Sequence, residues 1–252
     1  MEHELSVDEI VRYSRHLKVP EIGLRGQLKL REASIAVVGA GGLGSPASLY
    51  LAAAGVGTLA LVDSDVVELG NVQRQILHWT DDVGRPKLKS AVEKLRRVNP
   101  AVRLIPHDAK ITADNAEAML AGSDVVIDGT DNFESRYIIS DACMSLGAPH
   151  VYGAVFGFEG RVSVFDGGRG PCYRCLHPEP PSRDIPGCAE GGVIGPLPGL
   201  VGSLQAVEAV KLIAGAGEPL IGRLLLIDAL KMDFRVLEVP RRPGCPTCAR
   251  RP

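Results

Sequence analysis

Two hydrophobic rhythms alternate along this chain. Uncharged, apolar runs at 34–38 and 58–62 predict strands buried on both faces, the pattern of a parallel sheet, and further strands are predicted at 102–106 and 124–127. Between them, helical spacing covers 45–54, 86–98, 113–121 and 133–146, with Pro86 suited to a first helical turn. Ahead of this block, Ser6 and Glu9 form a capping-box pair opening a predicted helix over 7–18, and a second short helix spans 27–32.

After His150 the rhythm changes. Residues 151–156 and 160–165 flank a short Gly-containing connection and predict an antiparallel hairpin. Residues 177–198 lack periodicity and read as a long loop, a helix follows over 200–214, and strands at 224–227 and 234–239 close the chain. The expected class is α/β: a Rossmann-like, doubly wound, mainly parallel sheet extended by antiparallel strands. With no repeat or linker, residues 1–252 read as a single domain.

Residues 34–62 carry no charge, longer than a membrane span needs, but seven glycines and prolines cut the stretch into strand, helix and strand. The acidic, polar N-terminus is unlike a secretory signal, so a cytoplasmic protein is expected. Formal charge is −2 and pI about 6.3, which argues against a general nucleic-acid or membrane-surface binder.

The chemistry gathers at two places. Gly39, Gly41, Gly42 and Gly44 sit between a strand and a helix, where backbone N–H groups meet phosphate, and Asp63 ends the next strand, where a carboxylate takes a ribose hydroxyl. The plainer alternative is a glycine turn needed only for packing. Asp65, Asn71, Arg74, Gln75 and Lys87 follow, and their cations suit a triphosphate better than a dinucleotide; a solvated basic face remains the alternative for Lys87. Asp131 and Asn132 come just after the fourth strand, where Asp131 could hold Mg²⁺ or merely cap a helix.

At the second place, Cys172 and Cys175 make one C-x-x-C knuckle and Cys245 and Cys248 another, a ligand set for structural Zn²⁺, with disulfides as the competing reading. Of the 6 cysteines, Cys143 falls in an apolar helix and reads as core, while Cys188 lies in the long loop outside both knuckles.

With GAGGLG, DSD, NVQRQ, GRPK, GTDN and the paired knuckles in this order, the chain resembles the ThiF/MoeB family, bacterial relatives of ubiquitin-activating enzymes. The resemblance implies ATP- and Mg²⁺-dependent adenylation of the C-terminal Gly-Gly carboxylate of a small ubiquitin-like sulfur carrier. It makes Asp63 the ribose ligand, Asn71, Arg74 and Lys87 phosphate contacts, and Asp131 the acid needed for Mg²⁺ and catalysis. Arg15, in RYSR, is similar to the arginine that reaches a neighbouring subunit's ATP site, which implies a homodimer. Cys188 is similar to a cysteine that bonds covalently to the carrier in some members; an inert thiol is the alternative. No room is expected for a rhodanese-like domain, so a separate sulfur donor, a cysteine desulfurase or rhodanese-type protein, is implied. The rival readings are an NAD-dependent oxidoreductase and a non-catalytic, zinc-stapled interaction module.

Overall fold

The computed structural model describes residues 4–180 and 191–248. Their strands form one eight-stranded sheet in the order β3-β2-β1-β4-β5-β6-β7-β8. Strands β1 (Ser34–Val38), β2 (Thr58–Val62), β3 (Arg103–His107), β4 (Val125–Asp128) and β5 (His150–Phe156) pair in parallel. Strands β6 (Glu159–Phe165), β7 (Arg223–Asp228) and β8 (Asp233–Glu238) continue from β5 as an antiparallel meander. The uncharged stretch 34–62 is indeed β1, helix α4 (Gly44–Ala54) and β2, all packed into the core.

The remaining helices are α1 (Val7–Arg12), α2 (Ser14–Leu17), α3 (Gly23–Glu32), α5 (Lys87–Val98), α6 (Ala116–Leu120), α7 (Phe133–Leu146), α8 (Tyr173–Leu176) and α9 (Pro196–Ala214). The sheet is covered on both faces. One apolar cluster joins Leu51, Leu59, Leu95 and Ala209 on one side, and another joins Val38, Leu120, Val126 and Ile139 on the other.

Several boundaries differ from the sequence expectation, each for a tertiary reason. The helix expected over 7–18 breaks at Tyr13, which turns inward to 4% exposure and accepts a hydrogen bond from Asn99 Nδ2 at 2.9 Å. The Ser6–Glu9 capping box forms as expected. Helix α3 starts at Gly23 rather than at Gln27; Gln27 is fully buried and donates to the Ala54 carbonyl at 2.8 Å. The expected loop over 177–198 ends early because α9 starts at Pro196, a residue suited to a helix's first turn.

Helix α9 is long and apolar enough to cross a membrane by length and composition, but half of it is buried against α4, β5 and β6. Gln205 at its centre donates through Nε2 to the backbone carbonyls of Asp128 at 2.7 Å and Val151 at 3.1 Å. That interior polar contact fixes the helix across the carboxyl end of β4 and the amino end of β5.

Candidate functional site: a cavity at the strand switch point

Strand order reverses between β1 and β4, and open α/β sheets bind ligands in the crevice at the carboxyl ends of such strands. A cavity of about 230 Å³ lies there. Its floor is two backbone turns in direct apposition. A Cβ on Gly39, whose φ is +91°, would lie 2.8 Å from the Gly129 carbonyl oxygen, and one on Gly129 would lie 2.9 Å from that of Gly39. Gly44 does a different job, opening α4 so close to the turn that a Cβ would sit 1.7 Å from the Gly39 oxygen.

Most of the residues singled out from sequence line this cavity: Gly39, Gly41, Gly42, Asp63, Asp65, Arg74, Gln75, Lys87, Asp131 and Asn132. Asp63 accepts the Ala40 N–H through Oδ2 at 2.7 Å and the Asp65 N–H through Oδ1 at 2.8 Å, so its carboxylate is held against the glycine turn. Lys87 is no solvated surface cation. Its side chain is 7% exposed and its Nζ donates to Asp65 Oδ2 at 2.8 Å. An ammonium at a helix N-terminus meets an unfavourable dipole, and the Asp65 carboxylate offsets it. Arg74 Nη1 donates to the Gly70 carbonyl at 3.0 Å.

Three sequence candidates lie elsewhere. Asn71 is outside the cavity lining; its Oδ1 accepts the Glu68 N–H at 3.2 Å and closes the short turn Leu69–Asn71. Gly44 belongs to the packing contact just described. Arg15 is exposed on α2, away from this chain's own cavity.

The helix cap at the far side is Asn132, whose Oδ1 accepts the Ser135 N–H at 2.9 Å. Asp131 is therefore not the cap, and its exposed carboxylate lies on the cavity wall as an oxygen donor suited to Mg²⁺. Behind it, fully buried Asp128 accepts from Thr130 N–H at 3.0 Å and Thr130 Oγ1 at 2.6 Å, with His150 Nε2 3.0 Å from its other oxygen. Burial opposes the Asp128 charge, but the His150 hydrogen bond, the charges on His150 and Arg136, and the Thr130 hydroxyl hold its carboxyl below the usual range.

Sequence reasoning missed two cations, Lys110 and Arg136, which line the same cavity. Lys110 comes from the β3–α6 connection. Arg136 lies in the first turns of α7, donates to the Thr130 carbonyl at 3.1 Å and stacks 5.3 Å from the Phe133 ring centroid. The signal available for Arg136 was its place one turn after GTDN; for Lys110 there was none.

A buried polar network backs the glycine turn. His78, 1% exposed, faces the Ala40 carbonyl through Nε2 at 2.9 Å and Ser90 Oγ through Nδ1 at 2.9 Å. Lys94 Nζ donates to Ser90 Oγ at 2.7 Å and is ion-paired with Asp82. Burial lowers the His78 basicity, with the charges of Lys94 and Lys87 acting in the same direction. Burial opposes the charge on Asp82, but hydrogen bonds from Lys94 and the Trp79 N–H prevail and hold its carboxyl at about 2.

The four knuckle cysteines come together as expected, with all four sulfurs within 4.8 Å of one another. Sulfur–sulfur distances are 3.9 Å for Cys172–Cys175, 3.6 Å for Cys172–Cys245 and 3.3 Å for Cys175–Cys248. A disulfide needs about 2 Å. Tetrahedral ligands at about 2.3 Å from one ion stand about 3.8 Å apart, so the set fits a four-thiolate metal site. Burial and the neighbouring Cys175 push the Cys172 thiol up. Cys143 is 2% exposed among Ile139 and Ala142, a core thiol whose ionisation burial strongly opposes. Cys188 lies outside the described residues.

Relatives bear on this arrangement. The chain is 48% identical over 251 residues to a "Sulfur carrier protein adenylyltransferase" of Thermus thermophilus, covering 97% of this chain and 93% of that protein. It is 47% identical over 247 residues to the "Probable adenylyltransferase/sulfurtransferase MoeZ" of Mycobacterium tuberculosis, covering 96% of this chain but only 63% of MoeZ. Among solved structures, Escherichia coli MccB with MccA-N7isoASN superposes with a TM-score of 0.83 over 98% of this chain and 76% of that one, at 23% identity, a likeness of fold. Residues 13–247 match the ThiF family, and the chain belongs to it.

Proposed function

We propose that this enzyme uses ATP to adenylate the C-terminal carboxylate of a small ubiquitin-like sulfur carrier ending in Gly-Gly, releasing pyrophosphate. One observation carries the reading: in a ThiF-family chain, the glycine turn, Asp63, Arg74, Lys87 and Asp131 converge on one cavity at the strand switch point. The adenylyltransferase names of the Thermus and mycobacterial relatives support it, and the oxidoreductase and interaction-module alternatives find no support among them.

The reaction needs no general base. A C-terminal carboxylate, with a reference pKa of about 3.5, is already ionised at neutral pH. Its oxygen attacks the α-phosphorus, a new phosphorus–oxygen bond forms, and the bond to the bridging oxygen breaks as pyrophosphate leaves with the electron pair. The barrier is the approach of one anion to another, so catalysis is positioning and charge neutralisation. Arg74, Lys87, Lys110 and Arg136 surround the cavity as cations, and the N–H groups opening α4 at Gly42 to Gly44 meet phosphate. Mg²⁺, for which Asp131 is the proposed ligand, supplies further neutralisation of the phosphates. Asp63 is the proposed ribose ligand, with Asp65, Gln75 and Asn132 as further nucleotide contacts. Asn71 acts through the turn that carries Arg74.

The four knuckle cysteines are proposed to hold structural Zn²⁺, which suits a reducing compartment such as the cytoplasm. We assign Arg15 to a partner subunit's ATP site in a homodimer; its exposure outside this chain's own cavity supports that reading. Among the described residues every cysteine is either in the knuckle cluster or buried at Cys143. Sulfur for the acyl-adenylate is proposed to come from a separate donor, a cysteine desulfurase or rhodanese-type protein, with Cys188 the candidate for a covalent link to the carrier. The adenylation unit is proposed to be a single domain, because the described strands form one sheet.

The test is ATP–pyrophosphate exchange by purified protein with Mg²⁺ and candidate carriers. Exchange should require the carrier's Gly-Gly end, and Asp131→Ala should lower kcat by about 10²–10³-fold, the loss typical of one transition-state charge contact. Exchange absent with every carrier, or unchanged in Asp131→Ala, would overturn the reading.

A further inference from the structure

The Ala40 carbonyl turns away from the cavity side of the glycine turn. It accepts from His78 Nε2 at 2.9 Å and from Ser45 Oγ at 3.2 Å, both fully buried partners. No peptide bond among the described residues is cis, and in a trans peptide the C=O and the following N–H point in opposite directions. Anchoring the Ala40 carbonyl inward therefore aims the Gly41 N–H outward, and Gly41 lines the cavity. The preceding peptide is fixed as well, because the Ala40 N–H donates to Asp63 Oδ2 at 2.7 Å.

The tautomer of His78 decides whether this anchor exists. A carbonyl only accepts, so Nε2 must carry the proton. Nδ1 must then accept, and Ser90 Oγ, 2.9 Å away, must donate to it. Lys94 is compatible with that direction: its ammonium only donates, here to Ser90 Oγ at 2.7 Å, so the hydroxyl proton is not taken up by Lys94. Asp82, paired with Lys94, keeps the ammonium in place. Asp63 and Lys87 are the other charges that bear on the ring.

We propose that His78 is a positioning residue for the nucleotide: as the neutral Nε2–H tautomer it holds the Ala40 carbonyl inward and presents the Gly41 N–H to a phosphate. The order Asp82, Lys94, Ser90, His78, Ala40 runs from an ion pair to the glycine turn, and none of these residues lines the cavity. The inference rests on the ATP reading above, which makes the cavity's anion a nucleotide phosphate.

Two substitutions of similar polarity separate this role from mere filling of space. His78→Gln places an amide N–H near the position of Nε2, whereas His78→Asn is too short to reach the Ala40 carbonyl. In ATP–pyrophosphate exchange, His78→Asn should raise the KM for ATP about tenfold, the scale of one lost buried hydrogen bond, with kcat and the KM for carrier within about twofold. His78→Gln should return the KM for ATP to within about threefold of the parent enzyme. Equal KM values for ATP in Asn, Gln and parent enzymes, or equal losses in both variants, would overturn the proposal. Nitrogen NMR of histidine-labelled parent protein reads the tautomer without any substitution: an Nε2–H ring at His78 supports the proposal, and an Nδ1–H or doubly protonated ring at neutral pH overturns it. Failure of the parent enzyme to bind ATP would sink the ATP reading instead, and the nitrogen spectrum keeps the two failures apart.

Discussion

The two halves of the sheet are built to different rules. Strands β1, β2 and β4 are buried along almost their whole length, and each ends at the cavity or one residue short of it. In β8, at the antiparallel edge, every residue is exposed or half-exposed, including Phe234, Val236 and Leu237. The parallel half draws stability from apolar area removed from water on both faces, so its strand ends are rigid mounts for charged groups. The antiparallel half has less to bury. The four-cysteine cluster, proposed to hold Zn²⁺, brings Cys245 and Cys248, beyond β8, against Cys172, the N-cap of α8, and Cys175 within it. Tyr173, fully buried beside Cys172, carries that anchor into an aromatic cluster with Tyr137, Tyr152 and Phe165.

Breaking the knuckle should therefore separate the halves. Cys172→Ala removes one of the four proposed Zn²⁺ ligands, and the binding energy of a structural metal is folding energy. The expected outcome is the largest thermal loss of any change considered, more than about 10 °C in Tm by calorimetry. ATP affinity, measured at a temperature where the variant is folded, should stay within about threefold, because the cavity is built on β1, β2 and β4. A comparable loss of ATP affinity and of thermal stability would erase the contrast between the halves.

Within the parallel half, the Asp82 carboxyl offers a finer probe. Its folded value, about 2, lies below its ordinary value of 3.8. The unfolded chain thus binds this proton first as pH falls. The contribution is complete above pH about 4 and is lost as pH drops through about 2, and it amounts to about 2 kcal/mol. Urea unfolding between pH 5 and 2, on the order of a 2 kcal/mol effect, should show a shallower acid decline in Asp82→Asn than in the parent. Equal slopes would remove Asp82 from the acid sensitivity of this half. The smallest effect is expected at the far edge, where Val236→Ser on exposed β8 should change stability by no more than about 0.5 kcal/mol. A loss of 2 kcal/mol or more, on the scale of core substitutions, would mean that β8 is packed against something in solution.

Legibility in the sequence followed this same division. Strands β1 and β2 coincide with their apolar runs because burial on both faces leaves a continuous signal. The glycine turn, Asp63, Lys87 and Asp131 are readable because each follows a strand end or opens a helix. Local pattern failed where the reason was distant in the chain. The break at Tyr13 depends on Asn99, and the early start of α3 on Ala54. The His78 network joins positions 12 and 38 apart, so no window of sequence contains it. Lys110 was invisible because a lysine in a connection carries no periodicity, and only the return of β3 beside β2 brings it to the cavity.

The apposed glycines at 39 and 129 have one more consequence. Because the two turns meet backbone to backbone, with no side chain between them to change rotamer or size, the distance from the phosphate turn to the Asp131 loop is a constant of the fold. Substitution can alter what each jaw of this vice carries but not its gape. Any change in what this cavity accepts must therefore be made at the side chains around the rim, such as Arg74, Lys110 and Arg136, while the span between the jaws stays fixed.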